Sequence, residues 1–341
     1  MHGCGNKDKI LLEQVPATPV VNPDTRILVK NNTLLSAHLD SAGAIRGLSS
    51  NCFFVTTDFF AHFNIASYSL PGTMLSYNFD KDTMAFATGN ALLPTISYSD
   101  NDGGSWLIFT PVLLPALATT YSSTKLVSLV CSGKQTVLAL FLQTSNTGSY
   151  TRSLYKINTY TNEGTMLSTS QDAYQATTVK FTDAKNGWML LNYAGTYLSA
   201  TTDGGSTWSA PAIIDIRTLA YLQPGGNGTV AVFDGYGTNW FSANAGASWK
   251  KSTGNYHIAA VSVVSNSVVY ALTDTGVMKS TDGGISWNTV ANFDSNFNNV
   301  QKLFFRNELQ GLAYSSQRLY ITMDGGKSWK TLLYPYPYII Q

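Results

Sequence analysis

Asp203, Asp282 and Asp324 hold the same place in three near-identical octapeptides, "TTDGGSTW", "STDGGISW" and "TMDGGKSW". A carboxylate beside two glycines and an indole could serve in catalysis or as the anchor of a tight turn. Two further copies decide among these. In "SDNDGGSW" and "SANAGASW" the same position holds Asn101 and Asn244. An amide cannot donate a proton as an acid or carry the charge of a carboxylate, but it accepts backbone hydrogen bonds equally well. The turn is therefore read as scaffolding.

Other acidic residues offer a second chemistry. Two aspartates at suitable separation could cleave a glycosidic bond, and Asp172, Asp215, Asp274 and Asp294 are the candidates. None sits in a recognisable motif, and each is read first as a solvated turn aspartate. The chain has three glutamates, Glu13, Glu163 and Glu308. Four histidines, His2, His38, His62 and His257, have no ligand spacing, so no metal is expected. Cys4, Cys52 and Cys131 match neither a zinc nor a CxxC pattern. Cys52 and Cys131 lie in the apolar runs "NCFFVTT" and "LVSLVCSG" and read as buried free thiols.

The elements that must position these groups follow from the repeat. In register the octapeptide reads Ser/Thr, any, Asp/Asn, any, Gly, any, Ser/Thr, Trp. Its copies fix Ser99, Asn101, Gly103 and Trp106; Asp203, Gly205 and Trp208; Asn244, Gly246 and Trp249; Asp282, Gly284 and Trp287; Asp324, Gly326 and Trp329. From Trp208 onward the tryptophans are 41, 38 and 42 residues apart, and the first gap of 102 holds two periods and an insertion. A worn copy, "YTNEGTML", keeps Asn162 and Gly164 in that gap but has Leu167 in place of tryptophan.

Each period carries four short β-branched or aromatic runs. In the last these are "KLFFR", "GLAYS", "RLYIT" and "SWKTLL", with no helical periodicity between them. Periods of this length with four strands each predict an all-β propeller of about seven four-stranded blades, six or eight being the alternatives. The repeated turn joins strands three and four. The blades are expected to start near Ala44 and end near Leu333, with "LSSNCFFVTTD" forming an early blade on the pattern of "VVSNSVVYALTD". The preceding "RILVKN" is expected to add an outer strand to the last blade and close the ring. Residues 1–25 read as a tether and 26–341 as one propeller domain.

These octapeptides resemble Asp-box, or BNR, repeats, and the resemblance covers residues 75 to 335. Such boxes occur in sialidases, some xyloglucan-cleaving glycosidases, sortilin-type receptors and the photosystem II assembly-factor family. The longer unit "TDAKNGWMLLNYAGTYLSATTDGGSTW" looks most like the last of these. Repeats of this kind specify fold better than function. The likeness implies a test of the enzyme reading: a sialidase uses an arginine triad, a tyrosine nucleophile activated by a glutamate and an acid/base aspartate. It also carries an Arg-Ile-Pro motif, where this chain has "AIRGL" around Arg46. Glu163 and Glu308 fall in loops that open on the box rim, which in sialidases faces away from the active site. A tyrosine without a base, with a pKa near 10, is a poor nucleophile at neutral pH.

A binding role fits the residues better. The rim opposite the boxes is expected to display Tyr150 and Arg152, Arg217, Tyr236 and Trp240, His257 and Arg318, of residue types enriched at binding hot spots. The two longest insertions, 111–124 and 143–153, are expected to open there. The expected ligand is a protein or a glycan, with no cofactor, and a sialidase-like glycoside hydrolase is the alternative. Charged residues are 12% of the chain and the formal charge is +1, which lacks the footprint of a nucleic-acid binder. No apolar run is long enough to cross a bilayer, the longest candidate being broken by Pro111 and Pro115. "GCGNKDK" resembles the start of a mature bacterial lipoprotein, whose Cys4 would carry the lipid, although only three residues precede it here. Contact with a membrane is expected only through such an anchor. The Tyr/Asn/Ser/Thr-rich composition agrees with an extracytoplasmic address, at a bacterial outer membrane or cell surface.

Overall fold

The computed structural model describes residues 34–39, 44–49, 52–56, 64–67, 74–80, 83–101, 104–214, 216, 220–225, 228–234, 236–292, 300–316 and 318–333. Cys4, Arg217, Gly103, Asp215, Asp294 and "RILVKN" lie outside them. The described residues form seven sheets, antiparallel but for one added strand in the third, and no α-helix.

The first sheet comprises Leu34–Leu39, Ile45–Ser49, Cys52–Thr56 and Asn64–Ser67. The second comprises Met74–Asp80, Thr83–Asn90, Leu93–Ser99 and Leu107–Phe109. Longer strands, Ser123–Cys131, Thr136–Thr144, Tyr150–Asn158 and Glu163–Asp172, build the third. A fifth strand, Val112–Leu114, pairs in parallel with its outer edge. The fourth holds Gln175–Phe181, Gly187–Asn192, Thr196–Thr201 and Ala212–Ile214. Tyr221–Pro224, Val230–Phe233, Asn239–Ser242 and Lys250–Lys251 make the fifth. Ile258–Val263, Val269–Thr273, Gly276–Ser280 and Asn288–Asn292 make the sixth. Lys302–Phe305, Gly311–Tyr314, Arg318–Thr322 and Lys330–Leu333 make the seventh.

The first sheet starts at Leu34, upstream of the expected Ala44. "LSSNCFFVTTD" supplies its second and third strands, not the first and second. Without an octapeptide to set the phase, three similar apolar runs read alike in sequence. The seventh sheet takes all four strands from its own period.

Inner strands such as Thr136–Thr144 and Val230–Phe233 carry apolar side chains on both faces because each sheet is covered on both sides. Among the described residues the core is split into seven clusters, each between two sheets. Ala85, Ile96, Phe141 and Tyr155 fill the seam between the second and third. Tyr270 and Phe305 stack at 3.7 Å between the sixth and seventh. Ala37 and Ile45 of the first sheet meet Leu312 and Ile321 of the seventh, and Val55 of the first meets Met84 and Phe86 of the second. Each fully buried side chain of this size contributes roughly 1.5–3 kcal/mol.

First strands of neighbouring sheets lie side by side, and polar side chains join their edges. Ser76 Oγ accepts from Leu129 N at 3.0 Å, and Asn78 Oδ1 accepts from Cys131 N at 2.9 Å. Ser128 Oγ donates to Val179 O at 3.0 Å, and Ser262 Oγ accepts from Phe305 N at 2.7 Å. Backbone groups that a first strand cannot pair on its free side are thereby satisfied. Cys131 is buried, as expected, with its Sγ 3.8 Å from Asn78 O.

Candidate functional site: two rims of opposite character

The repeated turns share one rim with the turns joining strands one and two. Gly204 N donates to Lys185 O at 2.9 Å, Ala245 N to Gly228 O at 2.7 Å, Gly283 N to Ser267 O at 2.8 Å and Gly325 N to Leu309 O at 2.8 Å. Glu308, expected on this rim, belongs to the last of these loops and is paired with Lys279 at 2.8 Å.

Inside each turn the acidic or amide side chain is used up locally. Asp203 Oδ1 accepts from Thr207 N at 2.9 Å and from Thr201 Oγ1 at 2.8 Å, while Oδ2 accepts from Thr207 Oγ1 at 2.6 Å. Those donors, led by the Thr207 hydroxyl, hold the Asp203 carboxyl at about 2. At Asp282 slight burial opposes ionisation, but donors from Ser286, Ser280 and Ile285 outweigh it and the carboxyl also sits at about 2. Asp324 is lowered in the same way, against a small burial effect, by Ser328 and Thr322. Asn244 reproduces the pattern with its amide, accepting from Ser248 N at 2.9 Å and donating to Ser248 Oγ at 2.9 Å. Asn101 does the same with Ser105.

Each turn packs on the sheet before its own. Gly205 adopts φ +92° with its α-carbon against Leu154, and Ser168 Oγ donates to Gly205 O at 2.7 Å. Gly284, also at φ +92°, abuts the Phe241 ring. The indoles wedge into these seams: Trp208 meets Phe181 edge-on, Trp287 lies 5.7 Å from Phe241, and Trp329 lies 5.9 Å from Phe305. Trp208 Nε1 donates to Gly205 O at 3.1 Å and Trp329 Nε1 to Gly326 O at 3.0 Å. Trp249 packs between the fourth and fifth sheets beside Trp188, and Trp106 stacks on Phe86. These corners stand apart from one another and do not meet in one cleft.

The worn copy is a different turn. Asn158 Oδ1 accepts from Tyr160 N at 2.8 Å and Thr161 N at 3.1 Å, and Asn162 turns the chain at φ +64°. Gly164 persists for another reason: an added Cβ would come 2.6 Å from Leu113 of the strap that crosses it. That strap is the 111–124 insertion. It starts beside Glu163 on the box rim and ends at the opposite rim, where Ser122 N bonds Thr144 O at 2.9 Å. It covers the seam between the second and third sheets rather than opening as a loop. The 143–153 insertion extends a hairpin whose turn is 145–149.

On the opposite rim the predicted residues divide into two groups. Tyr236, His257 and Asp274 come together: the Tyr236 and His257 rings meet edge-on at 6.4 Å, and His257 Nδ1 lies 3.2 Å from Asp274 Oδ2. All three are solvent-exposed. The others are structural in their contacts. Arg152 is buried, and all five of its N–H donors have acceptors: Ser170 Oγ twice, both Asp172 oxygens and Tyr174 O. Tyr150 packs into the seam between the third and fourth sheets. Trp240 packs between the fourth and fifth, 5.8 Å from Lys251 Nζ. Arg318 opens the third strand of its sheet, its N–H held by Ser315 Oγ.

Sequence reasoning missed Tyr174, Tyr193, Tyr197 and Tyr221. Tyr174 meets Tyr197 at 4.9 Å and Tyr193 at 5.5 Å, and Tyr221 stacks on Phe233 at 5.5 Å. Their signal was position, since each flanks a rim turn at a strand end, but the turns are too short to attract attention. Tyr193, Tyr221 and Tyr236 are 52%, 52% and 68% exposed and all sit on this rim.

A cleft of about 350 Å³ opens between the third and fourth sheets. Leu154, Met189, Leu191 and Trp208 line its floor, and Ser168, Ser206 and Ser209 its edges. Arg152, Asp172 and Tyr174 close the end nearest the tyrosine rim. Among the described residues, no three His, Cys, Asp or Glu side chains come together as a metal site.

No family model matches the chain, and no curated protein matches it. Solved structures do. YCF48 from Cyanidioschyzon merolae is 14% identical, with a TM-score of 0.56, over 88% of this chain and 95% of its own. YCF48 bound to D1 peptide is 16% identical, with a TM-score of 0.56, over 91% and 95%. The β-propeller domain of the Trilobed protease from Pyrococcus furiosus, with its open velcro topology, is 10% identical, with a TM-score of 0.56, over 90% and 100%. Sheets built from consecutive strands, seams filled on both sides and these likenesses lead to one fold: the chain is a β-propeller.

Proposed function

We propose that the chain is a non-enzymatic, protein-binding or assembly-assisting propeller. Seven blades form its ring, Asp-box turns brace one rim, and a partner is recognised on the other. The seven sheets, and the clusters that join the seventh to the first and the first to the second, support the closed ring. One observation carries the function. Of the four described tyrosines more than half exposed, three, Tyr193, Tyr221 and Tyr236, stand on one rim and Tyr160 alone on the other, where the box turns consume their own polar groups. Amphipathic rings held by a rigid scaffold supply contact area with little entropy to lose. YCF48 bound to D1 peptide is a propeller of this shape with a peptide ligand, which favours a protein over a glycan partner here.

The described carboxylates do not favour the glycosidase alternative, although a GH74 enzyme from Niastella koreensis is also similar to this chain, 15% identical with a TM-score of 0.52 over 89% of this chain and 43% of its own. Asp172 is engaged by Arg152, Asp274 faces His257, and Glu308 is paired on the box rim. The triple variant Tyr193→Ala/Tyr221→Ala/Tyr236→Ala, used as bait beside the native protein in a cross-linking pull-down, tests the reading. Loss of the captured partner at unchanged Tm is expected; capture equal to native would refute it. We place the protein outside the cytoplasm, anchored through a lipid on Cys4. Metabolic labelling with a fatty-acid probe should mark the native chain and not Cys4→Ser.

A further inference from the structure

Outer strands of a propeller are edges, and this chain treats one of them differently. Glu163–Asp172 is 10 residues long, against 3 for Leu107–Phe109, 3 for Ala212–Ile214, 2 for Lys250–Lys251 and 5 for Asn288–Asn292. Short edges are a common protection against unwanted pairing, as are Lys, Pro and covering segments. The stretch from Met166 to Asp172, "MLSTSQD", contains neither Lys nor Pro. Its first three residues are covered from within: Val112, Leu113 and Leu114 pair in parallel with Glu163, Gly164 and Thr165. The strap then leaves the edge, with Pro115 O accepting from Tyr155 OH at 2.7 Å inside the neighbouring seam. Among the described residues nothing pairs with the outer side of the remaining seven.

The cleft lies along this same uncovered stretch. Ser168 and Ser170 face it with their side chains, bonded to Gly205 O and Arg152. Thr169 also lines it, although its hydroxyl bonds Ser153 on the other face, so the cleft reaches the strand's backbone edge. The segment from Ser206 to Pro211 forms the far wall, and Trp208, Met189 and Leu191 form an apolar floor.

We infer that the Met166–Asp172 edge takes an extended peptide of a partner protein as an added strand, with alternate apolar side chains seated in the adjoining cleft. The strap supplies the internal precedent: a strand of this chain already uses the first third of the edge. Main-chain hydrogen bonds would give affinity and the cleft would give selectivity. Alternation places every second side chain of the peptide on the cleft side, where an uncharged, apolar residue meets the indole and Met189. The inference rests on the protein-binding reading but not on the tyrosine rim, and it gives that reading a ligand class: an extended segment with apolar residues two apart.

The probe is a phage-displayed random heptapeptide library panned on the full chain, with the enriched peptides then made synthetically and labelled. Two variants address the site without touching the core. Ser206→Trp fills the cleft from a turn position that elsewhere holds Ala247, Ile285 or Lys327, and Gln171→Pro blocks the edge. Tyr236→Ala serves as a rim control. Peptides with alternating apolar residues should emerge and bind at least ~10-fold more weakly to both site variants, the loss expected of a 1.4 kcal/mol contact. Bound peptide should also slow amide exchange between Met166 and Asp172. If no peptide is enriched, or if the enriched peptides bind both site variants like native, strand addition is overturned. Loss in Tyr236→Ala alone would overturn it while leaving the rim reading intact.

Discussion

The two rims use the same materials for opposite ends. On the box rim, polar side chains turn inward on their own loops; Asp203 accepts three hydrogen bonds from residues no more than four positions away. On the opposite rim the turns are held by fewer internal bonds, and tyrosines project past them. A corner whose donors and acceptors are all satisfied has little left to offer a ligand. A rim with exposed, ring-bearing side chains on stiff strand ends has much. The difference teaches where to look in a repeat protein: the recurring residues hold the fold, and the residues that break the recurrence meet the partner.

Two glycines with the same backbone test the contrast most severely. Gly284 on the box rim and Gly148 on the opposite rim have φ of +92° and +85°. A Cβ on Gly284 would come 2.4 Å from the Phe241 ring, whereas one on Gly148 meets nothing within 4 Å. Gly284→Ala should therefore lose about 3 kcal/mol, combining overpacking with strain, and Gly148→Ala about 1 kcal/mol from strain alone. Urea melts of the two variants read the difference; equal losses would mean that the box corner is not tightly packed.

Arg152 sharpens the boundary between scaffold and site. Its removal leaves Asp172 with the Tyr174 N–H alone and Tyr174 O without its donor in a half-buried cleft. Arg152→Ala should cost about 2–3 kcal/mol, as breaking a largely buried, fully bonded charge pair does. A thermal melt should show this loss, where a merely surface-exposed ligand contact would leave Tm unmoved.

Acid should weaken the box rim selectively. The box aspartates have folded pKa values below the ordinary carboxylate value near 3.9, at about 2 for Asp203 and Asp282. Unfolded carboxyls bind protons first, so this stabilisation is complete above pH ~4 and fades as pH falls toward 2. Asp203→Asn/Asp282→Asn/Asp324→Asn should flatten the Tm profile between pH 4 and 2. Asn101 and Asn244 already show that the amide fits the turn. An unchanged slope in the triple variant would place the acid sensitivity elsewhere.

The smallest expected effect is on stability at the rim. Tyr236→Ala should shift unfolding by less than about 0.5 kcal/mol, since the side chain is exposed.

Much of the fold was legible in sequence because the octapeptide marks its own phase. Trp208, Trp249, Trp287 and Trp329 each precede an outer strand, and the four sheets carrying them lie where the spacing set them. Where the marker fails, so does the phase: the first sheet began ten residues early, and Asn158, not the worn Asn162 box, organises the 158–163 turn. The site was less legible. Arg152 looked like a free hot-spot residue because the acceptors that use it, Ser170, Asp172 and Tyr174, come from the next strand and connection. Tyr193 and Tyr221 were passed over because a rim is assembled from short turns that lie roughly 100 Å apart along an extended chain but on one side of the folded ring. Only contacts between strands separate a tyrosine that packs, such as Tyr150, from one that projects, such as Tyr236.

The most direct measurement pits the rims against each other in one partner-capture assay. Ala247→Glu/Ile285→Glu/Lys327→Glu alters the variable position of three box turns, and Tyr193→Ala/Tyr221→Ala/Tyr236→Ala strips the opposite rim. The account predicts full capture by the box-rim variant and loss of capture by the tyrosine variant, with both folded. Capture lost on the box rim and kept by the tyrosine variant would contradict it.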